Sequence, residues 1–215
     1  SSKLSILKSF FGWLTEEEII PRDLTRKIKP PKKVARLTKA LTLAELEMLR
    51  EWCKSLRERA FLEVFYSTGG RLDEVHKLDK KDIDWQNESV RVVGKGNKER
   101  DVYLSIRAQY HLKRYLESRR DDCPALFARQ RKPIGRLCKR QIQREMKNIA
   151  ARANLEHKVH PHVLRHTFAT LTLNNGAELG EVQELLGHNS PVTTRVYAQI
   201  TNEKKKAAHK RHLIQ

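Results

Sequence analysis

Apolar side chains near the start of the chain recur every three or four residues, which predicts an amphipathic helix over residues 4–19. The side chains concerned are Leu4, Leu7, Phe11 and Leu14. The next stretch, residues 21–40, is basic and punctuated by prolines, which is typical of an interdomain linker. Because one helix cannot form a core alone, residues 1–20 are expected to end a larger domain or to form an arm that packs on a partner.

Beyond residue 40 the pattern predicts a mainly helical domain with a small antiparallel β-sheet, an α+β fold. A capping box at Thr42–Glu45 opens the first helix, and Gly69 can close the second in a left-handed conformation. Helices are predicted over 42–56, 59–68, 71–78, 105–120, 139–153 and 161–175, with further helical segments ending at Leu186, starting at Ser190-Pro191 and covering 203–212. A β-hairpin is predicted from 90–93 and 101–104, with its turn at 94–98.

Charge narrows the class of partner. The chain has 44 Lys and Arg against 26 Asp and Glu, a net charge of +18, which favours nucleic acid over an anionic membrane surface or merely solvated faces. No apolar run is long enough to span a bilayer and no signal peptide opens the chain. Cys53, Cys123 and Cys138 lack metal-ligand spacing and indicate reduced thiols in an intracellular protein, cytoplasmic or phage-encoded.

Candidate chemistry is densest between His162 and Tyr197. Arg165 follows His162 by three residues, so on a helix both project from one face, and an arginine fork beside an imidazole suits a phosphate. Tyr197 can act as a nucleophile if its proton is removed. No metal site is predicted, because Val163 stands where a zinc-binding helix needs glutamate and no acidic or thiol cluster completes the ligands.

Four further residues gain interest only in combination with that segment. Arg71 follows Gly69-Gly70 at a predicted helix start, where backbone N–H groups also favour phosphate, and Glu74 one turn later could hold its guanidinium. Lys95 in the hairpin turn could reach a phosphate or protonate a leaving oxygen. His188 is exposed after a helix end. Singly, these are an ordinary surface pair, a solvated lysine and a capping histidine.

In order and local context, Arg71, Lys95, His162, Arg165, His188 and Tyr197 resemble the tyrosine recombinase (phage integrase) family. The matching strings are Tyr66–Glu74, Gly94–Arg100, His162–Thr170, Leu185–His188 and Thr193–Tyr197. The resemblance covers about residues 36–215 and implies a catalytic domain at 41–215, with a C-terminal tail from about 199, after a linker at 21–40. Residues 1–20 would be the last helix of a truncated core-binding domain.

Two positions depart from the family pattern. Gly70 stands where a larger residue is usual, and a second glycine is expected to loosen the turn that aims Arg71. Asp73 stands where a small polar residue is common. Neither departure removes a catalytic group.

The resemblance implies DNA cleavage by Tyr197 through a 3′-phosphotyrosyl bond, without a cofactor. Arg71 and Arg165 would clamp the phosphate, Lys95 would protonate the 5′-oxygen, His162 would assist proton transfer, and His188 would hydrogen-bond the phosphate. Glu74 would orient catalytic side chains. The partners implied are double-stranded DNA and further copies of the chain, dimer to tetramer, with the tail exchanged in trans through Ala207, Ala208 and Leu213.

Several functions stay open on the sequence alone. The leading hypothesis is integration or excision of a mobile element, and a chromosome-dimer resolving recombinase is its alternative. A type IB topoisomerase shares the chemistry, although His162-x-x-Arg165 with Gly187-His188 favours a recombinase. A DNA-binding module with degenerate chemistry is disfavoured by the complete set of six residues.

Overall fold

The computed structural model describes residues 2–29, 40–94, 99–156 and 158–187. The chain divides into two compact units, residues 1–37 and residues 38–215. This division falls inside the linker predicted at 21–40, and the assignment of the first unit to a core-binding domain stays a prediction. Within the described residues, no helix is both long and apolar enough to cross a membrane.

The first unit contains the predicted amphipathic helix as α1 (Ser2–Glu16). The helix ends three residues early because the chain turns at Glu18, which has a positive φ of 59°. The N–H of Ile19 then folds back to the carbonyl of Leu14 at 3.0 Å. Large apolar side chains such as Phe10 and Trp13 stay exposed in this unit, since a single helix has no second layer to bury them.

The second unit is mainly helical, as predicted. Its α-helices within the described residues are α2 (Leu43–Glu51), α3 (Leu56–Thr68), α4 (Leu72–Lys77), α5 (Ile106–Ser118), α6 (Lys139–Arg152), α7 (Pro161–Asn174) and α8 (Leu179–Leu186). The prediction that the first of these runs to residue 56 is wrong. Ser55 begins a new helix, because its Oγ accepts the Glu58 N–H at 3.1 Å and the Glu58 carboxylate accepts the Lys54 N–H at 2.7 Å.

The sheet has three antiparallel strands in the order β1 (Ile83–Asp84), β2 (Ser89–Val93) and β3 (Glu99–Tyr103). The predicted hairpin is therefore confirmed as β2 and β3, with Val90 opposite Val102. Residues 95–98 of the turn predicted at 94–98 lie outside the described residues. Strand β1 was not predicted, because two residues are too few to show alternation.

Helix α3 lies at the centre of the second unit and packs against α5, α6 and α7. Phe61 and Phe65 on α3 are fully buried, with their ring centroids 5.0 Å apart in an edge-on contact. A smaller apolar cluster, which includes Val182 and Leu186, joins α7 to α8. This packing brings the C-terminal ends of α3 and α8 together beside α7.

Candidate active site

The turn after α3 is packed rather than loose, contrary to the expectation for a second glycine. Gly69 has a left-handed φ of 56°, and a Cβ there would come within 2.7 Å of the Phe168 ring. The Gly70 N–H donates to the Thr68 hydroxyl at 3.1 Å. A Cβ at Gly70 would lie 2.7 Å from Cγ2 of Val75. The two glycines therefore let the chain pass through a tight space and emerge at Arg71.

Arg71 is the N-cap residue of α4, and its guanidinium is held on two sides. Nη1 lies 2.7 Å from Oε1 of Glu74, and Nη2 donates to the Gly187 carbonyl at 3.1 Å. Glu74 thus contacts the Arg71 guanidinium, and its role in orienting catalytic side chains stays a prediction. The backbone N–H of Arg71 donates to Glu74 at 2.8 Å. This N–H is therefore not free to bind phosphate, contrary to the expectation for the helix start. The Arg71 side chain is still 37% exposed.

Arg165 lies on α7 and is 3% exposed. Its Nη1 donates to the Gly69 carbonyl at 2.6 Å and its Nη2 to the Leu186 carbonyl at 2.8 Å. These carbonyls end α3 and α8, where helical carbonyls lack partners of their own. Because Leu186 and Gly187 are consecutive, Arg165 and Arg71 hold neighbouring peptide groups. The structure therefore brings together two arginines that are 94 positions apart in the sequence.

His162 lies in the first turn of α7, one turn before Arg165, and is exposed. His160 caps the helix, and its ring centroid is 6.0 Å from that of His162. Burial and the nearby His162 lower the pKa of His160. Burial also lowers the pKa of His166, which is half-buried. In the part of the chain that the structure describes, no three potential metal-ligating side chains cluster.

Lys95, His188 and Tyr197 lie outside the described residues, as do the helix start at Ser190-Pro191 and the tail from about 199. Their roles stay predictions. Their attachment points are described: Lys95 directly follows Gly94 at the end of β2, and His188 directly follows Gly187, which has a left-handed φ of 62°.

Arg100 on β3 also lies in the site, and the sequence alone gave no role for it. Its two Nη atoms donate to the two carboxylate oxygens of Glu74 at 2.8 and 2.9 Å. Burial raises the pKa of Glu74, but hydrogen bonds from Arg100 and Arg71 outweigh burial and lower that pKa to about 2. A signal existed: strand alternation puts Arg100 on the same side as Val102 and Leu104, both buried.

Comparison with known proteins agrees with this arrangement. The model of the phage integrase family matches residues 32–204. Tyrosine recombinase XerC of Natranaerobius thermophilus is 39% identical over 212 residues, which are 92% of this chain and 70% of that protein. The chain therefore belongs to the phage integrase family and is a tyrosine site-specific recombinase.

Solved structures support the same fold. The crystal structure of XerA recombinase superposes with a TM-score of 0.74 at 32% identity, covering 87% of this chain and 68% of that one. XerH site-specific recombinase, bound to palindromic difH substrate in a post-cleavage complex, gives a TM-score of 0.67 at 28% identity. That match covers 81% of this chain and 53% of XerH. The predicted fold class is thereby confirmed.

Proposed function

We propose that this recombinase cuts and rejoins double-stranded DNA at a specific site through a covalent 3′-phosphotyrosyl bond on Tyr197. The observation that carries this proposal is the convergence of Arg71 and Arg165 on the neighbouring carbonyls of Leu186 and Gly187. His188 is the next residue in the chain. Two arginines thus hold the helix end that directly precedes the predicted phosphate-binding histidine in the sequence.

In the proposed first step, the Tyr197 oxygen attacks the scissile phosphorus. A phosphorus–oxygen bond to tyrosine forms while the bond to the 5′-oxygen breaks. His162 assists removal of the tyrosine proton, and Lys95 supplies a proton to the leaving 5′-oxygen. The 5′-hydroxyl of a second strand then reverses the step. The phosphotyrosyl bond conserves the energy of the original phosphodiester, so no nucleotide cofactor is consumed.

Arg71 and Arg165 stabilise the charge that grows on the non-bridging oxygens in the transition state. Contacts with carbonyls and with Glu74 fix both guanidiniums before DNA arrives, so little reorganisation is needed when the charge develops. Arg71 is the more exposed of the two and meets the phosphate from the solvent side. Glu74 acts by orienting Arg71 rather than by touching DNA, and His188 hydrogen-bonds the phosphate.

A basic surface next to the site supports double-stranded DNA as the partner. The first turn of α6 is tied to α4 by Lys139, whose Nζ lies 2.6 Å from Oδ1 of Asp73. Further exposed basic residues follow on α6: Arg140, Arg144 and Lys147. Such a surface binds the phosphate backbone without reading sequence. Asp73, the second departure from the family pattern, thus anchors the start of this surface.

Covalent capture tests the chemistry directly. A pool of nicked duplexes with randomised cores is incubated with the chain, and the protein–DNA adducts are isolated and sequenced. We expect adducts on a defined sequence, and none from Tyr197→Phe. The absence of wild-type adducts from a folded, DNA-binding chain would favour the DNA-binding module. Relaxation of one supercoiled duplex without exchange between two would favour the topoisomerase.

The role of Lys95 has a sharper test. A duplex with sulfur in place of the bridging 5′-oxygen has a leaving group that departs without a proton. Lys95→Ala should cleave the oxygen substrate slowly but the sulfur substrate at nearly the wild-type rate. Arg71→Ala is the matched control and should be slow on both substrates. Equal defects of Lys95→Ala on both substrates would contradict its role as the general acid.

Of the two biological roles, we favour resolution of chromosome dimers over integration or excision of a mobile element. The support is similarity: relatives at 35–39% identity carry the name XerC. The genomic neighbourhood tests the choice. An adjacent excisionase gene and flanking attachment repeats would instead indicate a mobile element.

The domain and assembly predictions complete the proposal. Residues 1–20 are the last helix of a core-binding domain, and residues 21–40 are the linker that lets two domains close around the duplex. Copies assemble on DNA as dimers to tetramers, with the tail from about 199 docking on a neighbour. A chain that carries a complete core-binding domain ahead of residue 21 should bind DNA more tightly but cleave bound DNA at a similar rate; equal affinities would contradict the clamp.

A further inference from the structure

Arg100 lies where three parts of the site meet. It projects from β3, which directly follows the turn that contains Lys95. Its fork holds both carboxylate oxygens of Glu74. Its stem lies against Gly187, since a Cβ there would come within 2.8 Å of the Arg100 Cδ and Nε atoms. Arg100 therefore contacts both groups that hold the Arg71 guanidinium, namely the Glu74 carboxylate and the Gly187 peptide.

The geometry of this contact fixes the direction of the Glu74 carboxylate. A two-pronged arginine–carboxylate pair sets the plane of the carboxylate as well as its position. With Arg100 in place, Oε1 of Glu74 also faces Nη1 of Arg71 at 2.7 Å, and Oε2 accepts the Arg71 N–H at 2.8 Å. Every hydrogen bond from Arg71 to Glu74 thus depends on a carboxylate that Arg100 orients.

The charges of Arg71, Arg100 and Glu74 also make Arg71 dependent on Arg100. Arg71, Arg100 and Glu74 together carry one net positive charge. Without Arg100, the carboxylate and Arg71 would neutralise each other, and Arg71 would attract a phosphate less strongly. The Glu74 side chain is only 2% exposed, so water could not replace the missing cation.

The contact between the Arg100 stem and position 187 requires glycine there. A side chain at position 187 would collide with the Arg100 stem, and the left-handed φ of 62° independently favours glycine. The glycine before His188 therefore both ends α8 and leaves room for Arg100. The Arg100 Nε is buried without a hydrogen-bond partner among the described residues.

We propose that Arg100 is a positioning residue for DNA cleavage, which holds Glu74 and the end of α8 so that Arg71 keeps its orientation and its positive charge for the scissile phosphate. This inference rests on the proposed cleavage function. It assigns to Arg100 an effect on the chemical step that is exerted through Glu74, without contact to DNA.

The test is a double-mutant cycle that compares Arg100→Met, Glu74→Gln and the double variant. The rate of adduct formation is measured with saturating protein on a duplex identified by covalent capture. We expect Arg100→Met to slow adduct formation roughly 10- to 100-fold with little change in DNA affinity. The pair should be no slower than the slower single variant. Multiplied defects, or a wild-type rate for Arg100→Met, would overturn the inference.

Two further variants separate positioning from folding. Arg100→Lys keeps the charge without the fork and should cleave at an intermediate rate with a melting temperature near that of the wild type. Arg91→Met removes an exposed arginine of the neighbouring strand, paired with Asp101 at 3.2 Å, and should change neither property. An Arg100→Lys variant that melts like the wild type and cleaves at the wild-type rate would contradict a need for the fork.

A final readout requires no DNA. Carboxyl-carbon NMR can follow the titration of Glu74, whose pKa is about 2 in the intact cluster. In Arg100→Met that pKa should rise toward the ordinary value of a glutamate, and an unchanged titration would overturn the inference. Lack of wild-type adducts with the expected titration would instead count against the proposed function alone.

Discussion

Two clusters in this protein share one composition, a buried glutamate between two arginines, but Arg50 of one cluster and Arg71 of the other differ in what else they contact. On α2 and α3, Glu63 binds Arg50 and Arg59 at 2.8 and 3.0 Å. Arg50 is also paired with Glu47 and is 9% exposed. In the site, Arg71 has a single carboxylate partner among the described residues, and its other contact there is a neutral carbonyl.

The difference separates a structural use of arginine from a chemical one. Arg50 pairs with two carboxylates, so its positive charge is neutralised within the protein. The charge of Arg71 is only partly balanced, because the Glu74 carboxylate is shared between Arg71 and Arg100. Over a third of the Arg71 side chain also faces solvent. In the described part of the chain, Arg59 also has one carboxylate partner and donates to a carbonyl, that of Arg50 at 2.6 Å, but its side chain is only 21% exposed. Exposure of the arginine, more than the ion pair itself, therefore distinguishes Arg71.

The largest expected effect concerns Arg71. Arg71→Ala should slow cleavage by roughly 10³- to 10⁵-fold, about 4–7 kcal/mol, as for cations that stabilise phosphoryl transfer elsewhere. Its counterpart Arg59→Ala should leave the cleavage rate of the folded chain unchanged. Single-turnover adduct formation measures both. A comparable rate loss in Arg59→Ala would break the distinction between the two clusters.

Removing Glu63 should produce the converse result. Glu63→Leu leaves Arg50 and Arg59 without their shared carboxylate in a buried setting, which should cost about 3–5 kcal/mol of unfolding free energy. Urea unfolding measures this loss. Glu47→Gln, at an exposed partner of Arg50, should cost less than about 1 kcal/mol. A similarly small cost for Glu63→Leu would mean that the cluster of Glu63, Arg50 and Arg59 does not stabilise the fold.

Glu74 links the site to acid stability. Its pKa is lowered from 4.5 to about 2, so folding favours the charged form. The contribution, about 3 kcal/mol, is complete above pH 4.5 and is lost as the pH falls toward 2. Glu74→Gln should therefore flatten the fall in unfolding free energy between about pH 5 and pH 3. Parallel curves for the variant and the wild type would contradict this linkage.

Gly70→Ala should have a moderate effect. Its Cβ would meet Val75 at 2.7 Å, and relieving that overlap should cost about 1–3 kcal/mol. Since Arg71 is the next residue, cleavage should slow as well. Gly180→Ala, inside α8 with no atom within 4 Å of the new Cβ, should stabilise by about 0.5–1 kcal/mol. Thermal unfolding compares the two, and a stabilised Gly70→Ala would show that Val75 yields easily.

The smallest expected effect is on the basic surface outside both clusters. Lys147→Ala on α6 should weaken DNA binding slightly and reduce the slope of log affinity against log salt by about one. Lys54→Ala, an exposed lysine between α2 and α3, should leave the slope unchanged. Binding titrations at several salt concentrations measure both, and equal slopes for Lys147→Ala and the wild type would place DNA elsewhere.

Local signals predicted much of the fold. The capping box at Thr42 and the proline at the start of α7 act within a few residues, so both are visible in the sequence. The break at Ser55 obeys the same rule and was missed because the apolar pattern continues through it. The hairpin followed from alternation, whereas the two-residue strand at Ile83 forms only because β2 offers it a partner.

The site was predictable as a set of residue types but not as an arrangement. Arg165 reaches the Gly69 carbonyl across 96 positions, and Arg100 reaches Glu74 across 26. Such contacts depend on how helices and strands pack, which no local pattern encodes. The resemblance to a family supplied six residues in order, and although Arg100 ends one of the matching strings, the resemblance gave it no role.

The two carbonyl contacts of Arg165 have a practical consequence for the choice of an inactive protein. Replacing Arg165 would strand the Gly69 and Leu186 carbonyls in a buried space, so any such variant reports on architecture and chemistry at once. Arg71 is more exposed, and its loss leaves those carbonyls bound. For a long-lived DNA complex in structural work, substitution at Arg71 is therefore the safer choice.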